Sequence, residues 1–370
     1  MPVCKHSVIF LVLFFVQSLN NCISQSFTTS NRYFDSLNDV YKIKQLDNLF
    51  IYLKNEKHFN GTFLVAKGED ILYENVSGYS SYSTKHRLNL HSSFEIASIS
   101  KSFTAVAVLM LYEEGKVDIN QKVSYYLPDF PYTDVTIHQL LCHRSGLPDY
   151  FKFAERYHRN TQYPLTNDSL LSMLKTYKPK CSAIPDNNFE YSNTGYAVLA
   201  NLIGQVSGMS LKQYLNTRIF EPFEMKETFL YQFGDSVNIM LGHKSNKRVY
   251  YRNFLSGVVG DKGIQSSIHD LYLWAKLIFS EKIISRESLL LLCTPHNPES
   301  PLCNNYGYGF RIGCDEQKNI IFYHGGLWNG NHSLFIYRPY DEAVIVILSN
   351  IFNKSFMGRS GDIFRILDEL

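Results

Sequence analysis

The side chains from Ala105 to Leu111, with Phe103 before them, are apolar on nearly every face of a helix. Such a helix has to run through the body of a domain with other elements packed around it. It should end near Gly115, a residue free to take the left-handed conformation that closes a helix. Its opening is polar. Glu95, Ile96, Ala97, Ser98, Ile99, Ser100, Lys101 and Ser102 lead into it, and residues three apart share a helix face, so the Lys101 ammonium can reach the Ser98 hydroxyl. The positive end of the helix dipole favours negative charge developing there. A lysine in the first turn of a buried helix loses solvation, and desolvation favours the neutral amine that could take a proton from serine. Taken alone, these four residues also fit a capping serine followed by an exposed lysine.

Two clusters further along change the weighing. Phe189, Glu190, Tyr191, Ser192, Asn193 come first, and Phe322, Tyr323, His324, Gly325, Gly326, Leu327 follow in a run that reads as strand. In this order the three motifs resemble those of the serine β-lactamase and penicillin-binding-protein superfamily. The likeness is to its class C branch, which includes esterases, D-aminopeptidases and DD-carboxypeptidases. The second motif, Tyr191-Ser192-Asn193, is the one found in that branch. The third departs from dedicated β-lactamases: His324-Gly325-Gly326 stands where they have Lys-Thr-Gly, and is similar to the pattern of the peptidases and esterases. Leu140 to Pro148, Gly260 to Ser267 leading into Asp270 and Trp274, and Tyr306 to Phe310 are also similar to the superfamily. The resemblance covers roughly residues 45 to 350.

Gross composition fits an enzyme of this kind without singling it out. A chain of 370 residues can bury a large core in two lobes. The net charge of +2, with basic residues spread among acidic ones, gives no face for nucleic acid. No oligomeric state is specified. Residues 1–24 read as a secretory signal peptide: Lys5 and His6 precede a short apolar run, Val8 to Val16, followed by polar residues and the small Ser24. That run is too short to span a bilayer, so no membrane span is expected once it is removed, and the location is secreted or periplasmic. Residues 25–44 form an extension, and 45–350 the hydrolase domain. Five cysteines remain, Cys142, Cys181, Cys293, Cys303 and Cys314; an odd count leaves at least one unpaired, and buried thiols are as acceptable as a disulfide. No Cys and His spacing resembles a zinc site, and no metal or cofactor is expected. The sequons at Asn60 and Asn331 are read as chance.

Thr62–Ala66 and Ile71–Val76 flank a turn at Gly68, a hairpin signal. Ile320–Tyr323, Leu334–Tyr337 and Ala343–Leu348 are strand-like, with Asn329-Gly330-Asn331 as a turn. Helices are expected at Thr136–Cys142, Asn167–Thr176, Thr194–Val206 and Ser210–Ile219, and Ser267 with Asp270 offers a capping box for a helix through Trp274. Strands at both ends with helices between imply an α/β (α+β) fold. An antiparallel sheet (about 45–95 and 255–370) would be flanked by helices and carry an inserted, mainly helical lobe (about 96–254), with a site in the cleft between lobes. The resemblance implies the same β-lactamase/transpeptidase-like architecture.

The chemistry expected is acyl transfer. Ser98 attacks a carbonyl carbon, and water later releases the acyl group. Lys101 and Tyr191 share the proton work, since a phenol beside an ammonium becomes a usable base. Asn193 binds a substrate carbonyl or holds Lys101. The resemblance implies an oxyanion hole from the backbone amides of Ser98 and Leu327. Gly325 and Gly326, lacking side chains, let substrate approach the strand. His324, with an unperturbed pKa of about 6.5, is a weaker and switchable donor than a lysine. The function so indicated is a secreted serine hydrolase acting on an amide or ester of a small acyl group or short peptide. Its rivals are a β-lactamase proper and a penicillin-binding or sensor protein that does not turn over.

Overall fold

The structure, a computed structural model, describes residues 36–235, 239–353, 356 and 358–369. The signal segment, Cys22 and the first part of the extension lie outside the described residues. Helix α1, Ser36–Glu56, precedes the hairpin of β1, Gly61–Lys67, and β2, Asp70–Ser77. Short strands β3, Tyr79–Ser81, β4, His86–Arg87, and β5, Phe94–Glu95, lead through a 3-10 turn at Ala97–Ile99 into α2, Ser100–Glu113. The helical middle holds α3, Val123–Tyr126, α4, Ile137–Leu141, α5, Tyr150–Tyr157, α6, Asn167–Tyr177, α7, Asn193–Ser207, and α8, Leu211–Leu215. Next come β6, Phe229–Leu230, β7, Ile264–Ser266, α9, Ile268–Phe279, and α10, Arg286–Cys293. The chain closes with β8, Asn304–Tyr306, β9, Arg311–Cys314, β10, Ile320–Trp328, β11, Asn331–Arg338, β12, Ala343–Ser349, and α11, Ser360–Asp368.

The two ends of the chain meet, as the strand pattern implies. β1 pairs antiparallel with β12, from Gly61 opposite Ser349 to Lys67 opposite Ala343, inside a seven-stranded sheet ordered β2-β1-β12-β11-β10-β9-β8. Side chains alternate across a strand. Phe63, Val65, Ile345 and Ile347 pack with Leu46, Phe50, Ile363 and Phe364 of the terminal helices α1 and α11. Leu64, Ala66, Val344, Val346 and Leu348 join the main core with Phe103 of α2 and Trp274 of α9. Both faces are therefore covered, and β1 and β12 are buried almost throughout.

Helix α2 is the buried rod that its composition demands: from Ser100 to Leu109 every residue is buried, and Gly115 closes it at φ +68°. Trp274 stacks on Phe103 with ring centroids 4.0 Å apart and donates its indole N–H to Ser102 Oγ at 3.0 Å, pinning the first turn of α2 against α9.

Several expectations are adjusted. β10 runs on through the two glycines to Trp328, and Asn329 and Gly330, both at positive φ, form the tight turn into β11. The helix expected over Ser210–Ile219 changes after Leu215 to a π-helical turn, Asn216–Phe220, where the Thr217 hydroxyl donates back to Gln213 O at 2.8 Å. Ser267 caps α9 by accepting from Asp270 N, but the Asp270 carboxylate accepts from Glu227 N and the Thr228 hydroxyl, so the box is half formed. Asn60 and Asn331 are both 2% exposed, which fits their reading as chance sequons. Cys303, just before β8, is bonded to Cys314 at the end of β9, while Cys142, Cys181 and Cys293 are free thiols.

Candidate active site

The segment that carries Ser98 is held from two sides. Ile96 N–H donates to Ile264 O of β7 at 3.0 Å, and Ile96 O accepts from Ser333 Oγ of β11 at 2.8 Å. Ala97 then turns the chain into α2 at φ +49°, a left-handed conformation that costs a residue with a Cβ about 1–2 kcal/mol. The turn leaves Ser98 partly exposed at a cavity wall. Its closeness to β10 depends on Gly326, where a Cβ would fall 2.2 Å from Ile96 O and 3.0 Å from Ala97 Cβ. Room for the nucleophile segment thus takes the place of room for substrate as the reason for Gly326. The β10–β11 register runs unbroken from Phe322 to Trp328, so the glycine pair makes no bulge.

Lys101 is fully buried. Its Nζ contacts Ser98 Oγ at 3.2 Å, Asn193 Oδ1 at 2.9 Å and Asp261 O at 2.9 Å. Two of these partners, the side-chain and backbone carbonyls, can only accept. They take two N–H bonds whether the nitrogen is an ammonium or an amine. The third position, toward Ser98, is filled by an N–H donated to Oγ in one state and by a lone pair accepting the serine proton in the other. The same geometry serves lysine before and after proton transfer.

Asn193, at the start of α7, therefore holds Lys101, one of the two roles its position allows. Asp149 settles the orientation of its amide: Asp149 Oδ2 accepts from Asn193 Nδ2 at 2.9 Å and Asn193 N at 3.3 Å, turning the Asn193 carbonyl oxygen toward lysine. Asp149 Oδ1 meanwhile caps α5 by accepting from Phe151 N at 3.0 Å. The carbonyl of Asp261 is fixed by its own surroundings. Its carboxylate accepts from the Tyr150 hydroxyl at 3.0 Å, and the buried Lys262 donates to that hydroxyl and to Val258 O at 2.9 Å. Burial pushes the Lys262 amine below the usual lysine range, partly offset by the charges of Asp261 and Glu95.

The Tyr191 ring has Lys101 Nζ 4.9 Å from its centroid and packs on His143, with ring centroids 4.3 Å apart. His143 brackets the second motif: its carbonyl accepts from Glu190 N at 2.8 Å and its Nδ1 from Ser192 N at 3.2 Å. His324 is buried beneath the cavity. Nδ1 faces Gly325 O at 2.8 Å, which only accepts, so Nδ1 carries the hydrogen, and Nε2 takes the Tyr306 hydroxyl at 3.1 Å. Burial holds both His143 and His324 well below the usual histidine range, with the charges of Lys101 and Arg311 adding to it. His324 is thus a neutral ring with both nitrogens engaged inside the protein, and its expected service as a switchable donor to substrate gives way to a supporting position under Gly325.

Ser98, Tyr191, Asn193, His324, Gly325, Gly326 and Leu327 line one cavity of about 760 Å³, and Lys101 lies beneath it. The Glu190 carboxylate accepts from Asn188 and is not part of the wall. Arg311 joins the lining from β9, opposite Tyr323 of β10. Its guanidinium faces the rings of Tyr191 at 5.3 Å and Tyr306 at 5.9 Å, and it makes no ion pair among the described residues. Two contributors escaped sequence reasoning. Asp149 had a signal, since Pro148-Asp149 before an amphipathic run is a helix-start pattern. The Asp261 carbonyl had none, because any residue has one.

Comparison with known proteins agrees with this geometry. The Beta-lactamase family model matches residues 46–367. Penicillin-binding protein 4* of Bacillus subtilis (strain 168) is 33% identical over 328 residues, covering 84% of this chain and 72% of its own length. The crystal structure of a penicillin binding protein from Bacillus halodurans shares the fold, with a TM-score of 0.75 at 24% identity over 86% of this chain and 98% of that one. So does D-amino acid amidase from Ochrobactrum anthropi SV3 complexed with L-phenylalanine amide, with a TM-score of 0.69 at 22% identity over 90% and 97% of the two chains. A family match over most of its length, and a relative a third identical across the same span, show that the chain belongs to the Beta-lactamase family, within the superfamily of serine β-lactamases and penicillin-binding proteins.

Proposed function

We propose that this protein is a secreted serine hydrolase that cleaves an amide or ester bond of a small acyl or short-peptide substrate through an acyl-enzyme on Ser98. The observation that carries the reading is the Lys101 nitrogen, which meets Ser98 Oγ at 3.2 Å while two carbonyls take its other hydrogens. Ser98 Oγ attacks the carbonyl carbon as its proton moves toward Lys101 and Tyr191. The same pair returns a proton to the leaving group and draws one from the water that releases the acyl group. The amides of Ser98 and Leu327 receive the oxyanion, a contribution of about 3 kcal/mol for each donor.

Arg311 sharpens the substrate class. It is a cation at the cavity wall with aromatic contacts and no carboxylate partner among the described residues, so a substrate carrying a carboxylate at that end would complete it through a charge-assisted contact. A short peptide ending in a free carboxylate has that form, and relatives described as penicillin-binding proteins and a D-amino acid amidase favour D-amino-acid peptides. The Cys303–Cys314 disulfide supports an oxidising location.

A panel of short esters, D-amino-acid peptides and a chromogenic cephalosporin, run on wild type, Ser98→Ala and Arg311→Ala, tests this. The best ester or peptide should exceed the cephalosporin by about a hundredfold in kcat/KM. Ser98→Ala should be inactive, and Arg311→Ala should lose peptides more than uncharged esters. Efficient cephalosporin hydrolysis by wild type, exceeding that of every ester and peptide, would overturn it.

A further inference from the structure

We propose that a second cavity, separate from the catalytic one, binds a small molecule with an amide group and a carboxylate, of the type of an N-acylated amino acid. The cavity, about 240 Å³, lies between the β3–β4 hairpin, the loop that includes Ser92 and Ser93, and strands β6 and β7. It shares no lining residue with the catalytic cavity.

Gln265 carries the inference. It is the middle residue of β7, with Glu95 of β5 and Phe229 of β6 as its strand neighbours, and its side chain is 1% exposed. Both Oε1 and Nε2 are buried, and neither has a hydrogen-bond partner. Other buried polar side chains with an unpartnered atom have one such atom; Gln265 has two among the described residues. Leaving a buried donor or acceptor unmade costs about 1–3 kcal/mol per group, and this residue leaves a donor and an acceptor side by side at the wall of a cavity. A primary amide in that position complements a second amide, whose N–H meets Oε1 and whose carbonyl meets Nε2.

The charge of the wall adds the second half of the ligand. Arg87 lines the cavity, is exposed, rests its guanidinium 4.5 Å from the Tyr79 ring, and has no ion-pair partner among the described residues. No acidic residue lines the cavity, while Phe229 and Met240 supply an apolar wall. Water fills polar cavities of this size, but water alone leaves Arg87 without the anion that its position invites. Glu95, the strand partner of Gln265, stands three residues before Ser98, so an occupant would press on the strand that leads to the nucleophile.

Met240 makes the test local. With methyl-labelled methionine, N-acetylglycine should shift the Met240 methyl resonance saturably in wild type and equally in Ser98→Ala. Gln265→Leu and the surface variant Arg87→Ala should each weaken that titration by about tenfold or more. Acetate, which lacks the amide, and N-methylacetamide, which lacks the carboxylate, should be weaker to the same degree. A Met240 resonance unmoved through the millimolar range, or a titration unchanged by Gln265→Leu and Arg87→Ala, would overturn the proposal. So would N-methylacetamide binding as well as N-acetylglycine.

Discussion

Two cations among the described residues have no exposed surface at all, and their surroundings are opposite in kind. Arg338, on β11, is enclosed by carboxylates: Asp341 and Asp368 each take two hydrogen bonds at 2.7–3.0 Å, and Asp315 takes a fifth at 3.0 Å. Lys101, on α2, meets Ser98 and two carbonyls, with neutral aromatic and imidazole rings around it. Burial works against the charge of Arg338, yet the hydrogen bonds it donates to Asp341 and Asp368 outweigh that and raise its pKa above the usual arginine value. Its charge is locked, and it ties α11 to the sheet. Lys101 has partners that serve an ammonium and an amine alike, the arrangement that the proposed proton transfer requires. Equal burial is structural in one place and chemical in the other because of what the neighbours can accept.

The largest effect should come from breaking the locked site. Arg338→Met leaves three buried or half-buried carboxylates facing one another, with Lys67 reaching only Asp341. Breaking such a group from one side costs about 3–5 kcal/mol. Urea unfolding should show that loss, while kcat per folded molecule stays near wild type; a variant as stable as wild type would show the cluster to be idle.

Next in size is the mobile site. Lys101→Ala and Tyr191→Phe should each lower kcat by about a hundredfold or more, and the double variant should be little worse than the poorer single, because groups acting on one proton give non-additive losses. Losses that multiply would separate the two residues into independent roles.

A third effect concerns the neutral rings. His143 and His324 are held neutral by burial, and His296 is pushed down to about 3 by burial with His138 adding to it. In the unfolded chain each returns to about 6.5. Below that pH the unfolded chain takes up protons that the fold refuses, so stability is flat above it and falls as pH drops, by about 1.4 kcal/mol per pH unit for each ring. Asp270, raised to about 6 by burial, works the other way from that pH down to its unfolded value of 3.8. His138 and His243 are also held below the usual histidine range by burial, so the histidines outweigh Asp270 and stability falls as pH drops below about 6. Urea midpoints between about pH 7 and pH 5 check it, and a flat profile would mean that the rings take up protons within the fold.

Much of this site is legible in the amino-acid sequence. Ser98 and Lys101 stand out by their spacing, and Tyr191, Asn193 and His324–Leu327 by the resemblance to the superfamily; all but the buried Lys101 line one cavity, and Lys101 contacts Ser98 and Asn193. The fold is legible for a similar reason: the nearly unbroken apolar runs of β1 and β12 mark strands buried on both faces, and α2 is too apolar to lie anywhere but inside. What escapes is set by tertiary contact. The Asp261 carbonyl matters through where it points, Gly326 through the approach of Ile96, and His324 through burial that fixes its tautomer. Arg338 escapes too, since its three aspartates come from β11–β12, β9 and α11 and meet only in the fold.

The central claim is that the contact between Lys101 and Ser98 makes that serine, and no other, a nucleophile. Intact-mass measurement after treatment with a fluorophosphonate or a fluorescent penicillin, followed by peptide mapping, tests it directly. One adduct on Ser98 in wild type, none in Ser98→Ala and a much slower adduct in Lys101→Ala is the predicted result; a wild type that turns over substrate while its adduct maps to another residue would contradict it.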